Sequence, residues 1–299
     1  VGSEMCIRDR NKIDKALEEI KKTNFLPGVC GRVCPQEKQC QAKCVLAIKG
    51  DPIQIGMLER YAADNGTARI KTNNGHNKYK ANKKKILSAA IVGSGPAGIT
   101  CAYELAKSGF DVTIFEALHK LGGVLRYGIP EFRLPNNIID KEIDQLKHLS
   151  VRVELNKFIG SIYSIDELKN RFDVVFISTG AGLPYFMNIE GEHLNNIYSA
   201  NEFLTRCNLM KAMLDGYDTP IKIPKKLVVV GGGNVALDAA RVAIRLGSEV
   251  IISYRRTELE MPARIEEIKH AKKEGIKFMF LTCPVAYHGK TSVKEAVSY

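Results

Sequence analysis

Apolar positions follow two different spacings along this chain. In the N-terminal part they recur three or four residues apart over 11–22, which predicts a helix that Pro27-Gly28 ends. A second helix is predicted over 53–64, and the polar, lysine-rich stretch 72–85 has the composition of a linker. We therefore expect a small helical domain that ends near residue 80.

Beyond this linker, short apolar runs alternate with amphipathic segments. Four helices are predicted: one begins at Pro96, one covers 136–149, one begins at the capping box of Ser164 and Glu167, and one follows the second glycine cluster and ends at Leu246. The predicted strands are 86–92, 111–115, 151–155, 173–178, 226–230 and 249–254. Alternation of this kind produces parallel, doubly wound sheets, so we expect a small all-α domain followed by two α/β units.

The first glycine cluster lies between an apolar strand and a predicted helix. In such a loop one glycine permits a tight turn, one admits a pyrophosphate, and one lets the helix pack on the strand. Glu116 ends the next strand, where a carboxylate accepts hydrogen bonds from a free ribose 2′-hydroxyl, as in FAD or NAD. The candidate nucleotide-binding residues are Gly93, Gly95, Pro96, Ala97, Gly98 and Glu116.

A second glycine cluster has Ala236 in place of its third glycine. Arg255 and Arg256 end the strand that follows, and two guanidinium groups there suit the 2′-phosphate of NADP. The alternative is that these arginines only cap a strand end and pair with Glu258 and Glu260. The candidate residues are Gly231, Gly233, Asn234, Val235, Arg255 and Arg256. Two differently charged nucleotide sites predict electron transfer between a flavin and NADP(H).

Composition narrows the function further. The chain has 299 residues, 45% hydrophobic and 26% charged, which suffices for two or three domains with real cores. Its net charge of +11 comes from scattered lysines and from 71–85, without interleaved aromatic residues, so nucleic-acid binding is not expected. Neither a run of about 18 apolar residues nor a secretory signal is visible, which predicts a cytoplasmic protein with no membrane span.

Four cysteines, Cys30, Cys34, Cys40 and Cys44, fall within one short segment. In a reducing compartment this density indicates a bound metal rather than disulfides. Structural zinc usually takes its thiols from two short-spaced pairs set well apart, whereas a Cys-Pro and short, uneven gaps resemble iron–sulfur ligation. Iron–sulfur is the favoured interpretation, and zinc is the alternative.

Four separated segments, taken in order, resemble one family. The segments are Cys30-Gly-Arg-Val-Cys34-Pro, Ile55-Gly-Met-Leu-Glu59-Arg-Tyr, Arg126-Tyr-Gly-Ile-Pro-Glu-Phe-Arg-Leu-Pro135 and Tyr254-Arg-Arg-Thr-Glu-Leu-Glu-Met-Pro262. They are similar to the small (beta) subunit of NADPH-dependent glutamate synthase. The same module occurs in NADH-dependent ferredoxin:NADP oxidoreductases and in the N-terminal half of dihydropyrimidine dehydrogenase. The resemblance runs from about residue 11 to the end.

The resemblance implies a helical domain with two 4Fe-4S clusters, then an FAD domain interrupted by an NADPH domain. The implied borders are 11–80, 81–222 and 223–299. The implied ligands are Cys34 and Cys40 for one cluster, Cys44 for the other and Glu59 as an oxygen ligand, with Cys30 less certain. For Glu59 the alternative is a solvated helix residue. By the same resemblance, Gly122, Gly123 and Arg133 line the flavin region, where the alternative is an ordinary irregular loop. Gly180, at the end of a predicted buried strand, is expected to approach FAD as well.

The expected function is that of an oxidoreductase subunit. It takes hydride from NADPH and sends electrons through FAD and 4Fe-4S clusters to a partner, expected to be the large subunit of glutamate synthase. One alternative is a ferredoxin:NADP oxidoreductase subunit that works in either direction. An alternative of another class is a non-catalytic, zinc-stabilised module that binds NADP(H).

Two departures from the family pattern suggest a piece of a longer protein. The family's first cysteine motif is expected upstream of residue 11 and is absent, while residues 1–10, with Cys6, match nothing that follows. The chain also stops soon after Cys283, before the segment expected to close the flavin site.

We therefore predict that the 299-residue chain alone holds FAD weakly and transfers electrons poorly. Flavin retained after gel filtration measures this directly. Tight, stoichiometric FAD in the eluted protein would contradict the prediction.

Overall fold

The computed structural model describes residues 12–67 and 86–298. These form two compact units. The first comprises the described residues as far as Arg126 together with Glu131–Ala181, and the second comprises Tyr127–Pro130 and the described residues from Gly182 onward. The predicted linker and the N-terminal segment 1–10 lie outside the described residues.

The N-terminal part of the first unit is helical, as predicted. Its helices are α1 (Ile13–Ile20), α2 (Pro27–Val33) and α3 (Ile55–Asn65). The predicted role of Pro27 is wrong: α1 has already ended, and Pro27 begins α2 instead. Proline suits a first helical turn because the N–H it lacks would have no partner inside the helix. The cysteine-rich segment after α2 forms the short 3₁₀ turns Gln36–Lys38, Gln41–Lys43 and Val45–Ile48.

The first unit continues as a parallel sheet of order β3-β2-β1-β4. Its strands are β1 (Ser88–Val92), β2 (Asp111–Phe115), β3 (Arg152–Glu154) and β4 (Val174–Ile177). Its helices are α4 (Pro96–Lys107), α5 (Val124–Tyr127), α6 (Asn136–Lys147) and α7 (Ile165–Arg171). Ile91 of the central strand β1 is fully buried and lies between Ile114 and Phe176, as a continuous apolar run in a parallel sheet requires. The predicted Ser164–Glu167 capping box opens α7.

The second unit repeats the parallel arrangement in a sheet of order β5-β6-β7. Its strands are β5 (Lys226–Val230), β6 (Glu249–Tyr254), β7 (Lys277–Phe280), β8 (Pro284–Gly289) and β9 (Val293–Ser298), the last two forming an antiparallel hairpin. Its helices are α8 (Ala200–Asn208), α9 (Asn234–Arg245) and α10 (Ile265–Lys273). The sequence pattern predicts β5, α9 and β6 but not the elements around them. The expected α/β fold class is confirmed.

Helix α9 forms the centre of the second unit's core. Leu237, Ala240, Val242 and Ala243 are fully buried, because small side chains let the helix lie close to β5 and β6. Like α4 and α6, α9 has twelve residues. Among the described residues, no helix is long and apolar enough to cross a membrane.

An ion network joins α9 to α10 and the turn after it. Glu274 accepts hydrogen bonds from Arg241 at 2.8 Å and from Arg245 at 2.8 Å, while Arg241 also pairs with the buried Glu267. Burial acts to raise the pKa of Glu274, but the hydrogen bonds from Arg245 and Arg241 outweigh it and lower the pKa to about 2.

We predict that Glu274→Gln lowers the free energy of unfolding at pH 7 by about 1 kcal/mol, allowing for solvent that reaches the carboxylate. Because the folded-state pKa lies below the ordinary value of 4.5, this contribution is present above pH 4.5 and is lost as the pH falls towards 2. Urea unfolding at several pH values should therefore show wild type and variant converging in acid. Glu249, which forms an exposed ion pair with Lys277, provides a control. Glu249→Gln should lower the free energy of unfolding much less than Glu274→Gln does. An equal effect of both substitutions would contradict the prediction.

Candidate nucleotide and cluster sites

The loop between β1 and α4 has the geometry of a pyrophosphate cradle. Gly93 has a φ of +96°, and a Cβ atom there would lie 2.5 Å from the Ser178 carbonyl oxygen. At Gly98 a Cβ atom would lie 2.0 Å from the Gly93 carbonyl oxygen, so only glycine lets α4 approach this closely. A Cβ added to Gly95 would meet open space. Since α4 begins at Pro96, the N–H groups of its first turn are available to the phosphates of FAD.

Glu116 ends β2 and is 5% exposed. Its carboxylate accepts the N–H groups of Leu118 and Ser94, each at 2.9 Å, and the Ser94 hydroxyl also donates to it. A carboxylate oxygen has more than one lone pair, so Glu116 can hold the loop and still accept a ribose hydroxyl. Sequence reasoning missed Ser94, because a buried serine at a variable position of the glycine motif gives no signal of its own.

A second loop lies directly against this cradle. Gly123 has a φ of +51°, and a Cβ there would lie 2.8 Å from the Gly95 Cα atom. The N–H of Gly122 donates to the Ser94 hydroxyl at 3.0 Å. The buried Arg126 stabilises this second loop, because its Nε donates to the Leu121 carbonyl at 2.8 Å. Thus Gly122 and Gly123 adjoin the first glycine cluster, and Arg126 is a further residue of the site that spacing alone does not reveal.

The remaining flavin candidates lie elsewhere in the first unit. Gly180 has a φ of +76° with open space beside it, and it follows Ser178, whose hydroxyl donates to the Gly93 carbonyl at 3.1 Å. This hydrogen bond ties the segment after β4 to the cradle. Arg133 is half-buried between α5 and α6. The open space at Gly95 and the buried carboxylate of Glu116 fit the pyrophosphate and ribose of FAD.

The second glycine cluster, between β5 and α9, has the same open form. Gly231 has a φ of +129°, and a Cβ added to Gly233 would meet open space. At Gly232 a Cβ would lie 2.7 Å from the ring of Tyr254, so this ring lies directly on the loop. The Tyr254 hydroxyl donates to the Glu260 carbonyl at 3.0 Å. The tyrosine thereby connects the phosphate loop with the segment that carries the two arginines.

The chain after β6 folds back onto the same loop. The N–H of Ala263 donates to the Gly232 carbonyl at 3.3 Å, and the N–H of Arg264 donates to the Asn234 side-chain oxygen at 3.0 Å. The oxygen of Asn234 is therefore engaged, and its amide nitrogen is the group suited to a phosphate. Val235 is exposed at the start of α9.

Arg255 and Arg256 are both exposed just after β6. Arg256 lies 4.0 Å from Glu260, and Glu258 pairs with Lys272 at 2.6 Å. Among the residues that the structure describes, the alternative pairing is present as one long, solvent-exposed contact of Arg256, which contributes little to the placement of that side chain. These guanidinium groups, together with the open glycine loop, fit the 2′-phosphate and pyrophosphate of NADP.

Two of the predicted metal ligands lie side by side near Glu59. Cys30 is on α2 and Cys34 follows it; a hydrogen bond with Cys34 and burial raise the pKa of the Cys30 thiol. Asn24 contacts both groups: its oxygen lies 3.7 Å from the Cys30 sulfur, and its nitrogen donates to Glu59 at 2.6 Å. Asn24 belongs to no motif, so no pattern along the chain singles it out.

Cys44 is set apart by its backbone surroundings. Hydrogen bonds from the N–H groups of Ile53, Leu46 and Ala47 lower the pKa of its thiol. Such N–H···S contacts favour the thiolate, as iron–sulfur ligation requires. Cys40 is exposed. The donor chemistry suits a cluster, but within 12–67 and 86–298 no three Cys, His, Asp or Glu side chains come close enough to hold one metal ion.

Comparison with known proteins gives two family matches. The model for pyridine nucleotide-disulphide oxidoreductases matches residues 87–298. The model for dihydropyrimidine dehydrogenase domain II, 4Fe-4S cluster, matches residues 6–71. The second match begins within the N-terminal segment that the sequence pattern leaves unassigned.

Similar proteins are oxidoreductase subunits by name. The NADPH-Fe(3+) oxidoreductase subunit beta of Geobacter sulfurreducens is 37% identical over 91% of this chain and 39% of its own length. The glutamate synthase (NADPH) small chain of Escherichia coli is 33% identical over 93% of this chain and 59% of its own length. The solved structure of Mycobacterium tuberculosis FprA in complex with NADPH has the same fold, with a TM-score of 0.64 at 22% identity over 72% of this chain and 63% of that one. The chain spans less than two thirds of these curated relatives.

Two glycines of the first cradle make a matched pair of substitutions. We predict that Gly95→Ala leaves the thermal unfolding midpoint unchanged, because its Cβ meets open space, yet weakens FAD binding about tenfold or more by blocking the pyrophosphate. Gly98→Ala should instead destabilise the first unit by about 2 kcal/mol or more, because its Cβ overlaps a backbone oxygen. Flavin fluorescence titration and thermal unfolding measure the two effects. Unchanged FAD affinity in Gly95→Ala would refute the cradle assignment.

Proposed function

Because the chain belongs to the pyridine nucleotide-disulphide oxidoreductase family and contains a 4Fe-4S cluster domain, we propose that it takes hydride from NADPH and delivers electrons to a partner subunit. Its cofactors are FAD, NADP(H) and a 4Fe-4S cluster. When bound, FAD accepts a hydride, which is a proton with two electrons, and iron–sulfur clusters carry electrons singly. The observation that carries the proposal is the pair of open glycine cradles with opposite charges beside them: Glu116 after β2, Arg255 and Arg256 after β6.

The protein's own part is to bind and position. The first cradle binds the FAD pyrophosphate at the start of α4, and Glu116 accepts the ribose hydroxyls. The residues assigned to FAD are Gly93, Gly95, Pro96, Ala97, Gly98, Glu116, Gly122, Gly123, Arg133 and Gly180. The second cradle binds NADPH, and the guanidinium groups of Arg255 and Arg256 hold its 2′-phosphate. The residues assigned to NADPH are Gly231, Gly233, Asn234, Val235, Arg255 and Arg256.

The residues assigned to iron–sulfur ligation are Cys30, Cys34, Cys40, Cys44 and Glu59. Two observations support this assignment. Glu59 is oriented by a hydrogen bond from Asn24, which also lies beside Cys30, and the Cys44 thiol receives backbone N–H groups that stabilise its thiolate. These thiols require a reducing compartment, for which the cytoplasm is suited.

The partner we propose is a large subunit that makes glutamate, as the name of the E. coli relative suggests. A second candidate is a different electron acceptor, because the Geobacter relative is named for Fe(3+) reduction. A ferredoxin:NADP oxidoreductase would use the same cradles in either direction. A steady-state assay distinguishes the three acceptors. It measures the rate of NADPH oxidation with the large subunit, Fe(3+) or ferredoxin supplied in turn.

Colour and metal content test the proposal as a whole. Protein purified without oxygen and then supplied with FAD should show flavin absorption peaks with a broad iron–sulfur shoulder, and its flavin should bleach on addition of NADPH. A colourless protein that contains zinc would identify the non-catalytic NADP(H)-binding module instead.

Removal of both guanidinium groups tests the choice of nucleotide. We predict that Arg255→Gln/Arg256→Gln raises the dissociation constant for NADPH about tenfold to a hundredfold and changes that for NADH little, because only NADPH has the 2′-phosphate. The matched control, Lys269→Gln/Lys273→Gln, removes two exposed charges from α10 and should leave both affinities unchanged. Equal losses for NADPH and NADH would refute the assignment.

A further inference from the structure

Helix α6 of the FAD-binding part contacts both helices that carry candidate cluster ligands. Cys30 lies on α2 with Cys34 directly after it, and Glu59 lies on α3. The hydrogen bonds from α6 to these two helices come from two consecutive residues, Lys141 and Glu142. They are of opposite charge, and each meets the helix end whose partial charge is complementary to its own.

Glu142 meets the beginning of α2. The carboxylate is 3% exposed and accepts the Gly28 N–H at 3.0 Å. The N-cap residue of α2 is Leu26, whose apolar side chain cannot accept a hydrogen bond. The first turn of α2 therefore takes its acceptor from α6. The contact is close: a Cβ added to Gly28 would lie 3.0 Å from the Glu142 oxygen.

Lys141 meets the end of α3. Its ammonium donates to the Ala63 carbonyl at 2.7 Å, in the last turn of that helix. Carbonyl groups in the last turn lack partners within the helix and carry partial negative charge, so a cation there is favourable. One turn of α6 thus holds the start of α2 and the end of α3.

Further contacts reinforce this joint. Lys21, between α1 and α2, is half-buried and donates to Glu142 at 3.3 Å and to Gln145 at 2.5 Å. The Phe25 ring stacks on Tyr103 of α4, with ring centroids 4.2 Å apart. Helix α4 begins at the glycine loop assigned to FAD. The segment before α2 is therefore packed against α4 as well as against α6.

We propose that Lys141 and Glu142 are positioning residues that hold the iron–sulfur ligands at a fixed separation from the FAD cradle and so set the rate of electron transfer between them. The inference rests on the proposed function. Electron-transfer rates fall steeply as donor and acceptor move apart, so a joint that lets α2 and α3 shift slows this step and leaves nucleotide binding intact. The hydrogen bonds described for Lys141 and Glu142 join them to α2, α3 and Lys21, not to the loop between β1 and α4.

The experiment compares Glu142→Gln and Lys141→Met with controls from the same helix. Asp144 and Lys147 form an exposed ion pair on α6, so Asp144→Asn and Lys147→Met remove the same charges away from the joint. Glu142→Gln leaves the Lys21 ammonium beside a neutral amide, so this variant can fail to fold. Lys141 is exposed, so Lys141→Met is expected to fold and keeps the test valid. All proteins are purified without oxygen, and FAD is added in excess before each measurement.

The first measurement is hydrogen exchange at the helix ends. Exchange of the Gly28 amide should become faster in Glu142→Gln, by about tenfold, because the neutral amide oxygen of Gln is a weaker acceptor than the carboxylate. Lys141→Met should loosen the last turn of α3. Both controls should match wild type. Wild-type protection in both joint variants would overturn the proposal.

The second measurement separates flavin reduction from cluster reduction. In the joint variants NADPH should bleach the flavin at the wild-type rate, while cluster bleaching after photoreduction of the flavin should be slowed about tenfold or more. If the clusters were reduced at the wild-type rate although amide exchange was faster, Lys141 and Glu142 would have only a structural role, and the proposal would be overturned. Failure of NADPH to bleach the wild-type flavin would refute the proposed function separately, because photoreduction reports on the joint without NADPH.

Discussion

The close approach of α4 to the loop before it is the constraint on which the nucleotide site depends. With no Cβ at Gly98, the helix can approach the Gly93 carbonyl, and the N–H groups of its first turn are then free for an anion. The buried pair of Ser94 and Glu116 holds the same loop from the side, and the loop containing Gly122 packs against it. The groups offered to an anion at this position are therefore backbone groups, and the surrounding side chains preserve the shape of the loop.

The two cradles share this backbone design and differ in the charges that follow it. In the first, a buried carboxylate is hydrogen-bonded to the loop, so its negative charge lies inside the site. In the second, Arg255 and Arg256 remain exposed, while Tyr254 and the chain around Ala263 bind the loop instead. The first site can thus accept a ribose with free hydroxyls, and the second offers positive charge for an extra phosphate. The same backbone design thus occurs twice, with opposite charge beside it.

Local patterns predicted strands β1 to β6 and the tight turns at the two glycine clusters, because strand periodicity and glycine geometry are set within a few residues. The bounds of β2, β5 and β6 agree with the prediction, and Glu116 ends β2 as expected. Pro27 was assigned the wrong role, since proline is compatible with the residues after a helix as well as with a first helical turn. Ser94, Asn24 and Arg126 could not have been found this way, because each acts on groups that only the folded chain brings near.

The path of the chain between the two units limits how they can be exchanged. Tyr127–Pro130 belongs to the second unit, where the Tyr127 carbonyl accepts the side-chain N–H of Asn208 at 3.0 Å, yet the residues on either side belong to the first. The chain therefore changes units three times, so a genetic fusion that replaced everything after Ala181 would leave four residues of the old unit behind. Recombination in evolution, or by design, must accordingly transplant this short excursion together with the larger segment or rebuild its contact with α8.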